Sequence, residues 1–216
     1  GMFDVDMKPC ERCLDGHYIH CLQTKCLKNS RAKSFLGTLD GYMWKYSKAY
    51  SYVDAYICCS FFLKSKLDTQ KRFRGKTIGL HNFKKEMPHL DNIKKKGYVL
   101  EFGHLSRDKG TDTLLEVAKK MQNTEFVFIG YGPSVDKMKD IPNVKYLGFK
   151  TGEELYRIIA EAAISVCPSE WYENCPYSVM ESVLLGTPVV GSKMGGIPEL
   201  IEPGKTGELF EAGNVE

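Results

Sequence analysis

The feature of this sequence that most restricts its fold is a regular alternation of strand and helix patterns between residues 97 and 210. Short apolar runs that end at glycine, such as 97–103 and 124–132, predict buried strands. Between such runs lie segments with apolar residues at helical spacing, for example 111–121. Strands that alternate with helices form βαβ units whose strands are parallel. The alternation therefore predicts an α/β fold with a parallel sheet flanked by helices.

The same patterns predict the remaining elements of this region. Further strands are expected at 144–148, 164–169 and 187–192, and further helices at 134–141, 151–162 and 175–186, with another helical turn near 196–202. Thr151 and Glu154 have the spacing of a capping box, and Thr111 is a candidate cap for its helix.

We divide the chain into three parts. Residues 1–30 form a cysteine-rich loop, residues 31–90 read as helix, short strand, helix and strand, and residues 91–216 contain the alternation. Two strands with their helices cannot bury a sheet on both faces. Residues 31–90 are therefore expected to be an incomplete second Rossmann-like portion, and the sequence is expected to be a fragment of a longer protein.

Composition narrows the class of protein. The chain is 43% hydrophobic and 26% charged, as in soluble globular proteins, and its formal net charge of +3 is too small to indicate nucleic-acid binding. No apolar run reaches the roughly 18 residues that a membrane span needs. Eight cysteines without a signal-peptide pattern indicate a reducing compartment, so we expect a cytoplasmic location. The lysine clusters, such as Lys84–Lys85, predict solvated surface, or a weak attraction to anionic ligands or lipid headgroups.

Two glutamates stand in an otherwise apolar segment. Glu173 and Glu181 have seven residues between them. A helix that begins near Pro176 places Glu181 one to two turns inside it and Glu173 in the preceding loop. Carboxylates accept hydrogen bonds from sugar hydroxyls, and the N-terminus of a helix binds anions. This combination predicts a site for a sugar nucleotide.

Two other loops follow strands of the same predicted sheet. The first carries His104, Arg107 and Lys109, and the second carries Gly195 and Gly196. Ligands of parallel α/β sheets bind at the carboxyl ends of the strands. The cationic, acidic and glycine-rich loops are therefore expected to meet at one edge, where positive charge can stabilise a departing diphosphate.

The combination of FGHLSRDKGTDTLL, FVFIGYGP and SEWYENCPYSVMESVLLGTPVVGSKMGGIPEL, within about residues 97–210, resembles a known family. It is similar to the nucleotide-sugar-binding domain of retaining family-4 glycosyltransferases of the GT-B type, with two Rossmann-like domains, also called glycosyl transferases group 1. The resemblance implies transfer of a sugar from a UDP- or GDP-sugar to a saccharide or glycolipid, as in polysaccharide biosynthesis. Retention of anomeric configuration and catalysis without a metal are implied too. Residues 31–90 resemble the end of the family's acceptor domain.

The resemblance also implies residue roles. Glu173 would contact the donor sugar and Lys109 the diphosphate, and these two are the expected catalytic residues. Glu181 would hold the ribose. The remaining donor contacts are expected from Phe149 and Lys150 near the base and from Asn174, Cys175, Pro176, Tyr177, Ser178 and Val179 near the phosphates and sugar. The family usually has arginine where this chain has His104, so Arg107 is a second candidate for the phosphates.

Other interpretations remain open at this point. The chain can be a catalytically incomplete sugar-nucleotide-binding or assembly module. A related sugar-nucleotide epimerase is not expected to carry the two glutamates. Open sheet edges allow a homodimer, and a glycolipid acceptor allows peripheral contact with the inner face of a membrane.

Four cysteines near the beginning form a separate motif. Cys10, Cys13, Cys21 and Cys26 have the spacing C-x2-C-x7-C-x4-C. The C-x2-C pair suits a tetrahedral structural zinc, and His17 or His20 could replace one thiolate. Reduced thiols and a disulfide are the alternatives. The other four cysteines, Cys58, Cys59, Cys167 and Cys175, lie in apolar contexts and are expected to be packing residues.

Overall fold

A computed structural model of the chain describes residues 8–84 and 87–215. It divides into two compact units, Gly1–His81 and Asn82–Glu216. No helix of the described residues is both long enough and apolar enough to cross a membrane.

The first unit combines helices with a small parallel sheet. Strands β1 and β2 pair in parallel, with Ile57 opposite Ile78. In chain order the elements are α1 (Ile19–Thr24), α2 (Arg31–Tyr46), a 3₁₀ helix (Ala49–Tyr52), β1 (Tyr56–Cys58), α3 (Phe61–Asp68) and β2 (Thr77–Gly79). The segment predicted as a cysteine-rich loop therefore contains a helix, α1.

Helix α2 buries small residues rather than large ones. Ser34 and Thr38 are buried, whereas Leu36 and Met43 are largely exposed. The helix begins at a true cap, because the Ser30 side chain accepts a hydrogen bond from the Lys33 amide.

The second unit carries the predicted alternation. Its elements are β3 (Val99–His104), a 3₁₀ helix (Arg107–Lys109), α4 (Thr111–Lys120), β4 (Phe126–Tyr131), a 3₁₀ helix (Val135–Met138), β5 (Val144–Tyr146), α5 (Gly152–Glu161), β6 (Ile164–Cys167), α6 (Tyr177–Leu184), β7 (Val189–Ser192), a 3₁₀ helix (Ile197–Glu199) and β8 (Gly207–Phe210).

These strands form one parallel sheet, which confirms the predicted fold class. In the described part of the chain it has six strands in the order β5-β4-β3-β6-β7-β8. From β3 the chain builds outward through β4 and β5, and then returns to place β6 on the other side of β3. The strand order reverses at this point. In open α/β sheets such a switch point leaves a crevice at the carboxyl ends of the two central strands.

Alternating side chains give the sheet two apolar faces. On one face Phe126 and Phe128 of β4 pack with Leu114 and Leu115 of α4. On the other face Leu100 of β3 and the neighbouring β4 side chains pack with α5. Both faces are therefore covered by helices, and the polar loops lie at the strand ends.

Some local predictions were wrong. The helix predicted for 134–141 is a short 3₁₀ segment, and strand β8 was not predicted. Thr151 precedes α5 without a capping hydrogen bond from its side chain, and Glu154 instead pairs with Lys150 at 2.6 Å. Thr111 is the first residue of α4 rather than its cap, and its hydroxyl donates to a buried carboxyl group, Glu101.

Candidate functional site

A cleft of about 360 Å³ opens at the switch point of the six-stranded sheet. The ends of β3 and β6, the loop after each strand and the start of α6 form its walls. Its lining residues are Glu101, Phe102, Gly103, His104, Lys109, Val166, Cys167, Pro168, Ser169, Glu173, Pro176, Tyr177, Ser178 and Glu181. The structure thus brings the two glutamates together with Lys109 and His104, which belong to a much earlier part of the sequence.

Lys109 and Glu173 face each other across the cleft. The Lys109 ammonium donates to Glu173 Oε1 at 2.5 Å, and the Ser169 hydroxyl donates to the same oxygen at 3.1 Å. Both side chains are more than half buried, with 32% and 17% exposed. Lys109 closes the 3₁₀ helix after β3, so the cation lies at the carboxyl end of a central strand.

Glu181 has a lysine partner that the sequence analysis missed. The Lys84 ammonium donates to Glu181 Oε1 at 2.5 Å, and Glu181 is buried in α6. This hydrogen bond is the main cause that raises the pKa of Lys84 above its usual value. The prediction of solvated surface is therefore wrong for Lys84, while Lys85 lies outside the described residues. The two partners are 97 residues apart, so no local pattern could have revealed the pair.

The N-terminus of α6 points its first turn toward the cleft. Pro176 precedes the helix, no side chain caps it, and Tyr177 and Ser178 line the cleft. The amides of a first helical turn have no partner within their helix and carry the positive end of the helix dipole. This end of α6 can therefore accept an anion.

Two glycines permit the close approach of the loops. Gly195 has a φ of 63°, and a β-carbon there would lie 2.0 Å from the Glu173 carbonyl oxygen. The amide of Gly196 donates to that oxygen at 2.6 Å. Gly110, with a φ of 79°, packs equally closely on the Pro168 carbonyl. The glycine-rich loop thus supports the backbone of Glu173, and Gly110 lets the Lys109 loop lie against the end of β6.

A second, smaller cavity of about 270 Å³ adjoins the His104 end of the cleft. His104, Tyr131, Phe149 and Lys150 are among the side chains that line it. The ring centroids of His104 and Tyr131 are 5.4 Å apart, and those of Tyr131 and Phe149 are 6.0 Å apart. Aromatic surfaces at this end can stack on a planar ring. Tyr131 was not a predicted site residue, although it directly follows a strand glycine.

Other predicted site residues do not line the described cleft. The side chains of Arg107 and Asn174 are exposed and lie outside it. Val179 packs into the apolar cluster with Val189 and Ile197. Cys175 is buried, and its carbonyl accepts a hydrogen bond from Asn82 at 3.4 Å.

A buried carboxyl group lies at the floor of the cleft. Glu101 on β3 is 5% exposed, and the Thr111 hydroxyl donates to its Oε1 at 2.7 Å. Burial raises the pKa of Glu101 to about 8, the Thr111 hydrogen bond opposes this rise, and the Asp112 carboxylate adds to it. Sequence reasoning missed this residue, although a glutamate in the middle of an apolar strand was a visible signal.

The four cysteines of the N-terminal motif, Cys10, Cys13, Cys21 and Cys26, line one cavity of about 420 Å³. The sulfurs of Cys21 and Cys26 are 2.6 Å apart. Two thiolates on one tetrahedral zinc, with bonds near 2.3 Å, would be roughly 3.7 Å apart. In the described residues no group of three histidine, cysteine or acidic side chains has an arrangement that could hold a metal. The thiols share a site, but as placed they do not fit zinc.

Taken together, the cleft offers a cation and helix amides next to two carboxylates. Such groups can hold a diphosphate and, beside it, the hydroxyls of sugars.

The part of the chain that contains this cleft is similar to a known protein family. The family described as "Glycosyl transferases group 1" matches residues 82–216, the whole of the second unit. A sulfoquinovosyl transferase, SQD2, of Arabidopsis thaliana is 34% identical over 129 residues, covering 56% of this chain and 25% of the relative. The amylovoran biosynthesis glycosyltransferase AmsK of Erwinia amylovora is 33% identical over 134 residues, covering 55% and 33%.

Solved structures give the same fold. The Anabaena protein Alr3699/HepE, crystallised in complex with UDP and glucose, aligns with a TM-score of 0.68 at 20% identity. The alignment covers 82% of this chain and 54% of the Anabaena chain. The chain thus spans about a quarter to a third of the two curated relatives and about half of this structural neighbour.

Proposed function

Because the chain belongs to the glycosyl transferases group 1 family, we propose that its second unit binds a nucleoside-diphosphate sugar in the cleft between β3 and β6. The observation that carries this proposal is the convergence of Lys109, Glu173 and Glu181 on one cavity at the switch point of the sheet. The complex of the Anabaena neighbour with UDP and glucose supports the same ligand class.

We assign the parts of the donor to the parts of the cleft. The diphosphate lies at Lys109 and the first turn of α6, where positive charge offsets the charge of the phosphates. Glu173 accepts hydrogen bonds from the sugar, and Glu181 from the ribose. The nucleobase occupies the aromatic cavity of Tyr131 and Phe149. These roles follow the family resemblance, and the placement of the side chains is compatible with them.

The proposed reaction is transfer of the sugar to an acceptor with retention at the anomeric carbon. Lys109 stabilises the negative charge that develops on the leaving diphosphate. Burial is the main cause that raises the pKa of the nearby Cys167 thiol to about 12, so this thiol is not a nucleophile at neutral pH. The family resemblance implies that the departing phosphate guides the acceptor to the same face of the sugar.

The acceptor is proposed to be a saccharide or glycolipid used in polysaccharide assembly, in a cytoplasmic reaction at the inner face of a membrane. The relative AmsK, named for amylovoran biosynthesis, supports this acceptor class. A catalytically incomplete donor-binding module is the second candidate, because the family match covers residues 82–216 of the chain.

A thermal-shift panel tests donor binding. UDP, GDP, ADP and their sugars are each added to the full chain, and the unfolding temperature is measured. A ligand that binds the folded state stabilises it by about 2.7 kcal/mol at 100 times its dissociation constant. We expect a dose-dependent rise for UDP or GDP. If no nucleotide shifts the transition at millimolar concentration, the proposal is wrong.

A structural zinc at Cys10, Cys13, Cys21 and Cys26 stays a separate prediction. It requires Cys21 and Cys26 to move apart from their 2.6 Å separation. Elemental analysis of protein purified in reducing, chelator-free buffer tests it: one zinc per chain, absent from a Cys10→Ser/Cys13→Ser variant, would support the prediction. Metal-free wild-type protein contradicts the prediction and favours reduced thiols or a disulfide.

A further inference from the structure

The buried glutamate at the floor of the cleft connects the Lys109 loop to the sheet. Glu101 lies on β3, the strand at which the sheet order reverses, and it lines the same cleft as Lys109. Its Oε1 accepts the hydrogen bond from Thr111, the first residue of α4, at 2.7 Å. Thr111 follows Lys109 by two residues, across Gly110. One hydrogen bond therefore holds the end of the cationic loop against the central strand.

The other oxygen of this carboxyl group has no partner. Glu101 Oε2 is buried, and in the described part of the chain it makes no hydrogen bond. The titratable groups around it are Asp112 on α4, Cys167 on β6, and Glu173, Glu181 and His104 along the cleft. The two lysines that pair with carboxylates of the cleft, Lys109 and Lys84, are bonded to Glu173 and Glu181. An ionised Glu101 would be a buried charge without a counterion, which costs far more than the neutral acid.

Building on the proposed function, we propose that Glu101 is a positioning residue that holds the Lys109 loop as an uncharged carboxylic acid, so that donor binding is linked to its proton. An uncharged group adds no repulsion to a bound diphosphate, whereas a carboxylate at the same place does. The raised pKa of Glu101, about 8, agrees with this assignment. At a pH at which Glu101 is ionised in the free protein, Glu101 must take up one proton from solvent when the donor binds.

The test measures binding of UDP and GDP by titration calorimetry for the wild type and for Glu101→Gln, which keeps the shape of the neutral acid. For the wild type, linkage predicts about a tenfold loss of affinity between pH ~7.5 and ~9. The binding enthalpy at pH ~8 is then measured in buffers of different ionisation enthalpy. We expect its dependence on the buffer to show that binding takes up protons. Glu101→Gln is expected to bind at pH ~7.5 within about twofold of the wild type and to lose the pH dependence. Glu161→Gln, which removes a carboxylate outside the cleft, is the matched control.

Infrared spectroscopy provides a readout that needs no ligand and separates this inference from the proposed function. At neutral pH the wild type is expected to show the carbonyl band of a protonated carboxylic acid, and Glu101→Gln to lack it. Absence of the band in the wild type overturns the inference, as does equal pH dependence of binding in both proteins. If neither UDP nor GDP binds at any pH while the band is present, the proposed function fails and the assignment of a neutral Glu101 stands.

Discussion

Replacement of Lys109 by alanine is expected to weaken binding of UDP or GDP by ten- to a hundredfold. Hydrogen bonds to charged groups contribute about 1.5–3 kcal/mol, and each 1.4 kcal/mol corresponds to a factor of about ten in affinity. Lys109 is held by Glu173 at 2.5 Å at the carboxyl end of a central strand, so little ordering is needed when a diphosphate binds. Titration calorimetry of the wild type and Lys109→Ala measures the change.

Two further variants separate the possible causes of such a loss. Lys109→Ala leaves the Glu173 carboxylate without its cation, which by itself can repel a diphosphate. In Lys109→Ala/Glu173→Gln that charge is absent, so binding stays weak if Lys109 contacts the ligand and recovers if repulsion was the cause. Lys119→Ala removes an exposed lysine of α4 that pairs with Glu116 and should bind as the wild type does. Equal affinity of Lys109→Ala and the wild type would contradict the role of Lys109.

Most helices and strands of the second unit could be predicted because the sequence patterns that indicate them are local. Apolar runs that end at glycine and apolar residues at helical spacing identified β3, α4, β4 and α6 from the sequence. The weaker elements were missed for a physical reason. Strand β8 (Gly207–Phe210) is an edge strand whose pairing with β7 is decided by tertiary contacts rather than by its own four residues.

The site was predictable only in part, because its charges are paired over long sequence distances. Lys109 and Glu173 were both identified, but nothing in the sequence indicated that they pair with each other before a ligand binds. Lys84 could not be told from an ordinary surface lysine, since its partner Glu181 is brought near by folding. Arg107 was a second candidate for the phosphates, yet the 3₁₀ turn directs Lys109, not Arg107, into the cleft.

Both lysine–glutamate pairs have a common consequence for ligand binding. The carboxylates proposed to hold hydroxyls are neutralised by Lys84 and Lys109, so the cleft does not present two free negative charges to an approaching diphosphate. A third ionised carboxylate, at Glu101, would add a negative charge that no lysine among the described residues neutralises. The protonation of Glu101 is therefore important for the stability of the site as well.

The stability of the second unit is expected to fall between pH ~4.5 and ~8 in the wild type, and to fall much less in Glu101→Gln. The pKa of Glu101 is raised from an ordinary 4.5 to about 8 in the folded protein, chiefly by burial. Below pH ~4.5 both folded and unfolded states hold this proton. As the pH rises from there to ~8 only the folded state retains it, so the stability contributed by this group decreases, and above pH ~8 the decrease stops. At about 1.4 kcal/mol per pKa unit the largest effect is about 5 kcal/mol.

Urea unfolding followed by Trp171 fluorescence, in a Trp44→Phe background so that the signal reports the second unit, measures the pH dependence. Glu161→Gln removes the partner of Lys96 outside the cleft and serves as the control. Parallel pH profiles for Glu101→Gln and the wild type would show that Glu101 is ionised in the folded protein at neutral pH.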